Sequence, residues 1–114
     1  MFVARPSGGA IATTQTPEAT IVRLSGEIDE SLRTQASAAM SLILRRHMPV
    51  ELDTRAVTFI DSAGLSFLVQ CRALAQADGL DVSLHRPAPP VEDLMEVTGV
   101  ADLFRLNASR PETQ

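Results

Sequence analysis

The pattern of apolar and polar positions in the first half of the chain predicts an edge hairpin followed by a helix. Residues 10–14 and 20–24 are rich in β-branched side chains and are separated by a short polar turn. After the hairpin, apolar residues recur at intervals of three and four, which is typical of one face of a helix. Asp29 and Ser31 are the candidate N-caps of this helix, and Pro49 ends it.

The second half of the chain alternates strand patterns with helix patterns. The expected elements are strands at residues 50–60, 81–85 and 103–106 and helices at residues 65–77 and 91–98. Strands that alternate with helices imply crossover connections onto a largely parallel sheet. The sequence therefore predicts an α/β domain with a mixed, mostly parallel sheet of about five strands and helices packed on it.

Both ends of the chain differ in composition from the segment between them. Residues 1–9 contain a proline and a Ser-Gly-Gly run, and residues 108–114 are polar and contain another proline. We expect these ends to be flexible tails around a single folded domain at residues 10–107. A chain of 114 residues with 45% apolar residues is long and apolar enough for one hydrophobic core.

The charge balance and the counts of reactive residues exclude several functional classes. Ten basic and fourteen acidic residues give a net charge of −4 without a basic stripe, which disfavours direct binding of nucleic acid. One cysteine and two histidines supply neither an internal disulfide nor a His/Cys metal site, and no glycine pattern that binds phosphate groups is present. Without an apolar run of membrane-spanning length or a signal-peptide pattern, we expect a cytoplasmic protein with no membrane attachment, metal or cofactor.

Ser62 is the leading candidate for chemistry, because it follows a strand directly and opens a helix. As a structural residue, it would be the N-cap of that helix. As a hydrolase nucleophile it would need a glycine two residues earlier, where Ile60 stands, and neither His47 nor His85 is predicted to lie near it. The sequence therefore indicates that the protein is not an enzyme, and we expect Cys71 to pack in the core.

Two segments of the chain resemble a known family. Residues 50–64 (VELDTRAVTFIDSAG), preceded by residues 24–29 (LSGEID), closely resemble the STAS domain of bacterial anti-sigma factor antagonists. The resemblance extends through residues 88–106 and covers roughly residues 10–107. Its most specific part is the Asp-Ser-x-Gly-Leu element at residues 61–65, and it implies a single domain of the STAS type.

The resemblance implies a partner-switching protein. In this family a cytoplasmic serine kinase, which is itself the anti-sigma factor, phosphorylates the serine of the element, so Ser62 is the implied phosphoacceptor. The unmodified protein would bind this kinase and release the sigma factor, and phosphorylation of Ser62 would switch the protein off until a phosphatase restores the serine. The implied partner-binding residues are Asp29, Asp61, Ser62, Gly64 and Leu65.

Two features depart from the usual pattern of the family. Ala63 stands where a second serine or threonine often follows the phosphoacceptor, which removes an alternative phosphorylation site. The chain ends at Gln114, so we expect the C-terminal helix of the family to be short or absent. STAS domains also serve as small subunits of lipid-transport ATPases, and a non-switching scaffold subunit of this kind is the alternative function. The sequence leaves open whether the protein is a monomer or a dimer.

Overall fold

The described part of the chain contains four strands and four helices. The structure is a computed structural model that describes the backbone of residues 8–108 and the side chains of residues 8–104. The strands are β1 (Gly9–Gln15), β2 (Thr20–Ile28), β3 (Val50–Ile60) and β4 (Val82–His85). The helices are α1 (Arg33–Arg46), which follows a 3₁₀ turn at Glu30–Leu32, α2 (Ser62–Ala77), α3 (Pro89–Thr98) and α4 (Ala101–Ala108). None of these helices is long and apolar enough to cross a membrane.

The first and last described elements lie close to the boundaries of the predicted domain. β1 begins at Gly9 and α4 runs to Ala108, so the described elements extend one residue beyond the predicted domain, residues 10–107, at each end. Residues 1–7 and 109–114, which make up most of the two predicted tails, lie outside the described residues. Their flexibility stays a prediction.

The described strands form one mixed sheet in the order β1-β2-β3-β4. β1 and β2 are an antiparallel hairpin, whereas β2, β3 and β4 run parallel to one another. Val22 and Leu52 are paired across β2 and β3 and are buried in the core with the helices. Arg23 and Asp53, the next pair along the strands, lie on the opposite, polar face because successive side chains of a strand alternate. This arrangement confirms the predicted α/β fold class.

The prediction of a last strand at residues 103–106 is wrong, because these residues lie within α4. Ala101 and Phe104 are buried three residues apart, which is the spacing of one helix face. The Phe104 ring centroid lies 5.9 Å from the guanidinium carbon of Arg72 on α2, and α4 also packs on β4 and α3. The described sheet has four strands, which is roughly consistent with the predicted number of about five, and a short C-terminal helix is present as α4.

β3 is a single strand, as predicted, but its side chains do not alternate regularly. The pairing between β2 and β3 shifts register between Arg23 and Ser25 and again between Gly26 and Glu27, as it does at β-bulges. The buried positions in the second half of β3 are consequently spaced by three residues, at Thr54, Val57 and Ile60. This spacing turns Ile60 into the core immediately before the connection to α2.

Asp53 organises the polar face of the sheet beside the first bulge. Its carboxylate accepts hydrogen bonds from Arg23 Nε at 3.2 Å and from Arg55 Nε and Nη2 at 3.1 Å each. Asp53 itself is only 9% exposed, whereas about half of each arginine side chain is exposed, 51% and 59%. The hydrogen bonds from Arg55 and then from Arg23 hold the pKa of Asp53 well below its ordinary value, although burial opposes them.

We expect the substitution Asp53→Asn to remove a pH-dependent contribution to stability. Because the pKa of Asp53 is lowered in the folded state, the carboxylate contributes its full stabilisation above the unfolded-state pKa of about 3.9. This contribution is lost progressively as the pH falls from there through the lower folded-state pKa. At about pH 7 the variant should lose about 1–2 kcal/mol of unfolding free energy, since both arginines are half-exposed to water. Urea unfolding followed by circular dichroism measures the loss. A difference from the wild type that does not shrink as the pH is lowered from about 4 towards about 2 would contradict this assignment.

Candidate functional site

The carboxyl-terminal ends of β2 and β3 meet at one edge of the sheet, where the predicted site residues follow them. Ile28 and Ile60 are paired across the parallel strands, and Asp29 and Asp61 come directly after them. The backbone N–H of Asp61 donates a hydrogen bond to the carbonyl oxygen of Ile28 at 3.3 Å. The two acidic residues and the adjacent Ser62 therefore share one edge, which we call the rim and define as these three residues.

Gly64 lets the first turn of α2 lie directly against the end of β2. A Cβ atom at this position would stand 2.7 Å from the carbonyl oxygen of Ile28, 2.8 Å from Ile60 Cγ1 and 2.9 Å from Ile28 Cγ2. Side chains do not tolerate such short contacts, so any larger residue would push the helix and the strand apart. Packing thus requires the glycine of the Asp-Ser-x-Gly-Leu element, and this packing places Ser62 beside the end of β2.

The first turn of α2 is capped by Asp61 and not by Ser62. Asp61 Oδ1 accepts hydrogen bonds from the backbone N–H groups of Ala63 at 3.0 Å and Gly64 at 3.1 Å. Asp61 also has the extended backbone of an N-cap, and Ser62 is the first helical residue, with an exposed side chain. The interpretation of Ser62 as the N-cap is therefore wrong, and its hydroxyl is not committed to that role.

Asp29 caps the turn that precedes α1, on the other side of the rim. Its Oδ1 accepts hydrogen bonds from the backbone N–H of Ser31 at 3.0 Å and from the Ser31 hydroxyl at 2.5 Å. These bonds, led by that of the hydroxyl, lower the pKa of Asp29, so the carboxylate is charged at neutral pH. Of the two predicted N-caps, Asp29 is the N-cap, but it caps the 3₁₀ turn rather than α1 itself. Ser31 donates the hydrogen bonds that the Asp29 carboxylate accepts.

The predicted partner-binding residues divide into an exposed and a buried group. Ser62 is exposed, and Asp29 and Asp61 are half-buried at the surface of the rim. Gly64 is buried against β2, and Leu65 is only 6% exposed because its side chain packs in the core. The structure brings all five together at one edge of the sheet, but Gly64 and Leu65 lie beneath its surface and support it.

A groove of about 350 Å³ lies between α1 and α2 beside the rim. Its apolar lining includes Leu32, Met40 and Phe67, and Asp29 and Gln70 lie at its polar margin. Sequence reasoning missed this groove because its existence depends on the distance between two helices that are far apart in the chain. Because Asp29 belongs to both features, a partner that contacts the rim also meets this apolar surface.

The other candidate reactive residues lie away from the rim. His85 pairs with Asp53, seven residues before the end of β3, which places it roughly 20 Å along the strand from the rim. His47 ends α1 just before β3 begins, and its Nδ1 lies 2.8 Å from Asp78 Oδ2. Cys71 is buried as predicted, and burial raises the pKa of its thiol to about 12. Neither imidazole lies beside the rim as a general base, and the described His, Cys, Asp and Glu residues form no cluster that could hold a metal ion.

The fold is similar to those of solved anti-sigma factor antagonists. The antagonist SpoIIAA in its unphosphorylated form has a TM-score of 0.70 at 20% sequence identity, with 82% of this chain and 84% of that chain covered. An anti-sigma factor antagonist from Mycobacterium paratuberculosis has a TM-score of 0.68 at 24% identity, with 90% and 87% covered. The Bacillus cell fate determinant SpoIIAA in its phosphorylated form has a TM-score of 0.66 at 21% identity, with 82% and 86% covered. The fold class of the chain is therefore that of the anti-sigma factor antagonists.

A match to a protein-family model assigns the chain to one family within this fold class. The model described as "Mlab, STAS domain" matches residues 11–106, which is most of the chain. The chain therefore belongs to the STAS domain family, and the resemblance inferred from the Asp-Ser-x-Gly-Leu element is confirmed. A comparison with curated protein sequences finds no match.

The substitution Gly64→Ala tests the close packing of α2 on β2. We expect the added methyl group to lower the free energy of unfolding by about 1–3 kcal/mol, because it would overlap with Ile28 and Ile60. Urea unfolding measures this loss. The control Ser66→Ala, at an exposed position of the same helix, should change the stability by less than about 0.5 kcal/mol. Equal stability of the two variants would rule out the packing constraint.

Three substitutions test which residue caps α2. Asp61→Ala removes the acceptor of two backbone hydrogen bonds and should cost about 1 kcal/mol of unfolding free energy, whereas Asp61→Asn should retain most of it. Ser62→Ala should change the stability by less than about 0.5 kcal/mol. Thermal and urea unfolding of the three variants decide the assignment. A larger loss in Ser62→Ala than in Asp61→Ala would return the cap to Ser62.

Proposed function

We propose that this protein is an anti-sigma factor antagonist that binds an anti-sigma factor kinase through the rim and thereby frees the sigma factor. The observation that carries the proposal is the exposed Ser62 at the first position of α2, beside the capping carboxylate of Asp61. The kinase transfers the terminal phosphoryl group of ATP to Ser62 Oγ, and ADP and a proton are released. Phosphorylation ends the interaction, and a phosphatase restores the serine by hydrolysis.

The position of Ser62 allows phosphorylation without loss of the fold. The start of a helix presents backbone N–H groups and the positive end of the helix dipole, both of which favour a phosphate. The cap of α2 comes from Asp61, so modification of the Ser62 hydroxyl removes no structural hydrogen bond of the cap. The fold shared with solved SpoIIAA structures in both the unphosphorylated and the phosphorylated form supports the same view.

The effect of the phosphate on the partner is electrostatic. Phosphorylation adds about −1.5 to −2 charges at neutral pH to a rim that already carries Asp61 and the ionised Asp29. Binding of a partner surface that fits the neutral serine then carries two costs, the desolvation of the phosphate and its repulsion by negative groups of the partner. A loss of about 2–3 kcal/mol weakens binding by roughly 30- to 150-fold, which is enough to exchange one partner for another.

The groove between α1 and α2 supplies apolar contact area next to this switch. Leu32, Met40 and Phe67 line it, so a kinase bound at the rim can bury apolar surface there. In this arrangement the groove contributes binding affinity for the kinase, and the phosphorylation state of Ser62 controls that affinity. The protein itself acts as a binding protein in the cytoplasm and needs no cofactor, because the kinase brings the ATP.

Affinity capture from lysate of the source cells tests the proposal. The full chain with Ser62→Ala should retain a small ATP-binding serine kinase, identified by mass, and Ser62→Glu should bind the same kinase at least about 30-fold more weakly, because it places a charge at the switch position. The purified kinase with ATP should add one phosphate to the wild-type chain and none to Ser62→Ala.

Matched substitutions at Ser41 control for the added charge. Ser41 is exposed on α1, and both Ser41→Ala and Ser41→Glu should retain the kinase. If Ser62→Ala and Ser62→Glu instead retain a transport ATPase equally well, the switch is wrong and the chain is a scaffold subunit.

A further inference from the structure

β1 is an edge strand whose outward backbone groups can be identified from two hydrogen bonds. Ile11 donates its backbone N–H to Gln35 Oε1 on α1 at 2.7 Å, so this N–H points away from β2. At the hairpin turn, the Thr16 N–H donates a hydrogen bond to the Ala19 carbonyl oxygen at 3.0 Å. The backbone N–H and C=O groups of the even-numbered residues of β1 therefore point towards β2. Because backbone groups alternate along an antiparallel strand, Thr13 also presents its N–H and C=O groups outwards.

This edge lacks the charged side chains and prolines by which proteins often block strand pairing. β1 is seven residues long and contains no charged residue and no proline, although the chain as a whole carries a net charge of −4. The side chains of residues 12–15 are small or uncharged and exposed. The other edge strand of the described sheet, β4, has only four residues and is followed by Arg86 and Pro87. The two edges therefore differ: within the described residues β1 is the longer and uncharged edge, and Gln35 bonds to its Ile11 N–H.

We propose that a second copy of this chain adds to the β1 edge in antiparallel orientation, so that the two four-stranded sheets form one continuous sheet. A two-fold axis at Thr13 would pair this residue with its own copy and would pair Ile11 with Gln15. The uncharged edge favours a second copy, because two chains that each carry a net charge of −4 repel each other least where the contacting strands carry no charge. The paired strands have identical sequences and identical outward groups, as a two-fold contact requires.

Gln35 limits this pairing. In the antiparallel arrangement the N–H of Ile11 would bond to the carbonyl oxygen of Gln15 in the second copy, but Gln35 Oε1 already accepts that N–H. The glutamine side chain must therefore move before the outer hydrogen bonds of the dimer form. Gln35 thus keeps the association weak, and its removal should strengthen the dimer.

The dimer leaves both rims accessible. Gly9 at the start of β1 pairs with Gly26 near the end of β2, so the rim lies towards the β1 start of each sheet. In an antiparallel pair, the two β1 starts are at opposite ends of the contact, and the two rims are therefore at opposite ends of the dimer. The association is independent of the proposed partner switch, and one can be wrong while the other is right.

Sedimentation equilibrium of the full chain tests the proposal over a range of about 10 μM to 1 mM. The wild type should show a reversible monomer–dimer equilibrium. Gln35→Ala should lower the dissociation constant by at least about threefold, because the N–H of Ile11 becomes available. Thr13→Lys should raise it by at least about tenfold, because two like charges would face each other at the axis. Thr13→Pro, which removes the outward N–H at an edge position, should have the same direction of effect.

One control variant and two contrary outcomes complete the sedimentation test. Thr34→Ala, at the exposed position before Gln35, should leave the dissociation constant unchanged, and circular dichroism should report a native spectrum for every variant. A wild type and a Gln35→Ala variant that both remain monomeric at about 1 mM would overturn the proposal. A dimer that folded Thr13→Lys leaves intact would also overturn it, because the contact would then lie on another surface.

Discussion

The absence of a side chain at Gly64 is the constraint on which the site depends. The backbone of α2 approaches the end of β2 so closely that a single carbon atom at this position would overlap with the Ile28 carbonyl oxygen and with Ile60. This contact fixes where α2 begins relative to β2, and Asp61 reinforces it with a backbone hydrogen bond to Ile28. Ser62 and Asp29 share one rim because two different elements are held together at this point.

A division of roles between Asp61 and Ser62 follows from this geometry. The start of α2 needs an acceptor for its unpaired N–H groups, and Asp61 supplies it. A serine that both capped the helix and accepted a phosphate would exchange a structural bond for a charge, so modification would alter stability and surface together. In the proposed switch the cap would persist when Ser62 is modified, because Asp61 supplies it, and phosphorylation would change only the surface offered to a partner.

The sequence predicts the parts of this structure that local chemistry decides. Runs of β-branched and other strand-favouring residues locate the hairpin and β3, and the Asp-Ser-x-Gly-Leu element locates the rim. The run at residues 103–106 is compatible with a strand or a helix, and the contact of Phe104 with Arg72 and the packing of α4 on β4 select the helix. The bulges of β3, the groove between α1 and α2 and the bond from Ile11 to Gln35 depend on residues distant in the chain, so no local pattern encodes them.

The sheet presents surfaces of different chemistry, and their separation bears on how the protein is controlled. The rim is acidic at the ends of β2 and β3, and the polar face of the sheet holds Arg23 and Arg55 around Asp53. The β1 edge is uncharged. A charge in water is screened over about 8 Å at physiological salt, which is shorter than the length of these strands. Under the proposed function, a phosphate on Ser62 would therefore act on a partner bound at the rim and would leave the middle of the β1 edge unaffected. If both proposals hold, self-association and partner exchange are set independently, the first by Gln35 and protein concentration and the second by the kinase and the phosphatase.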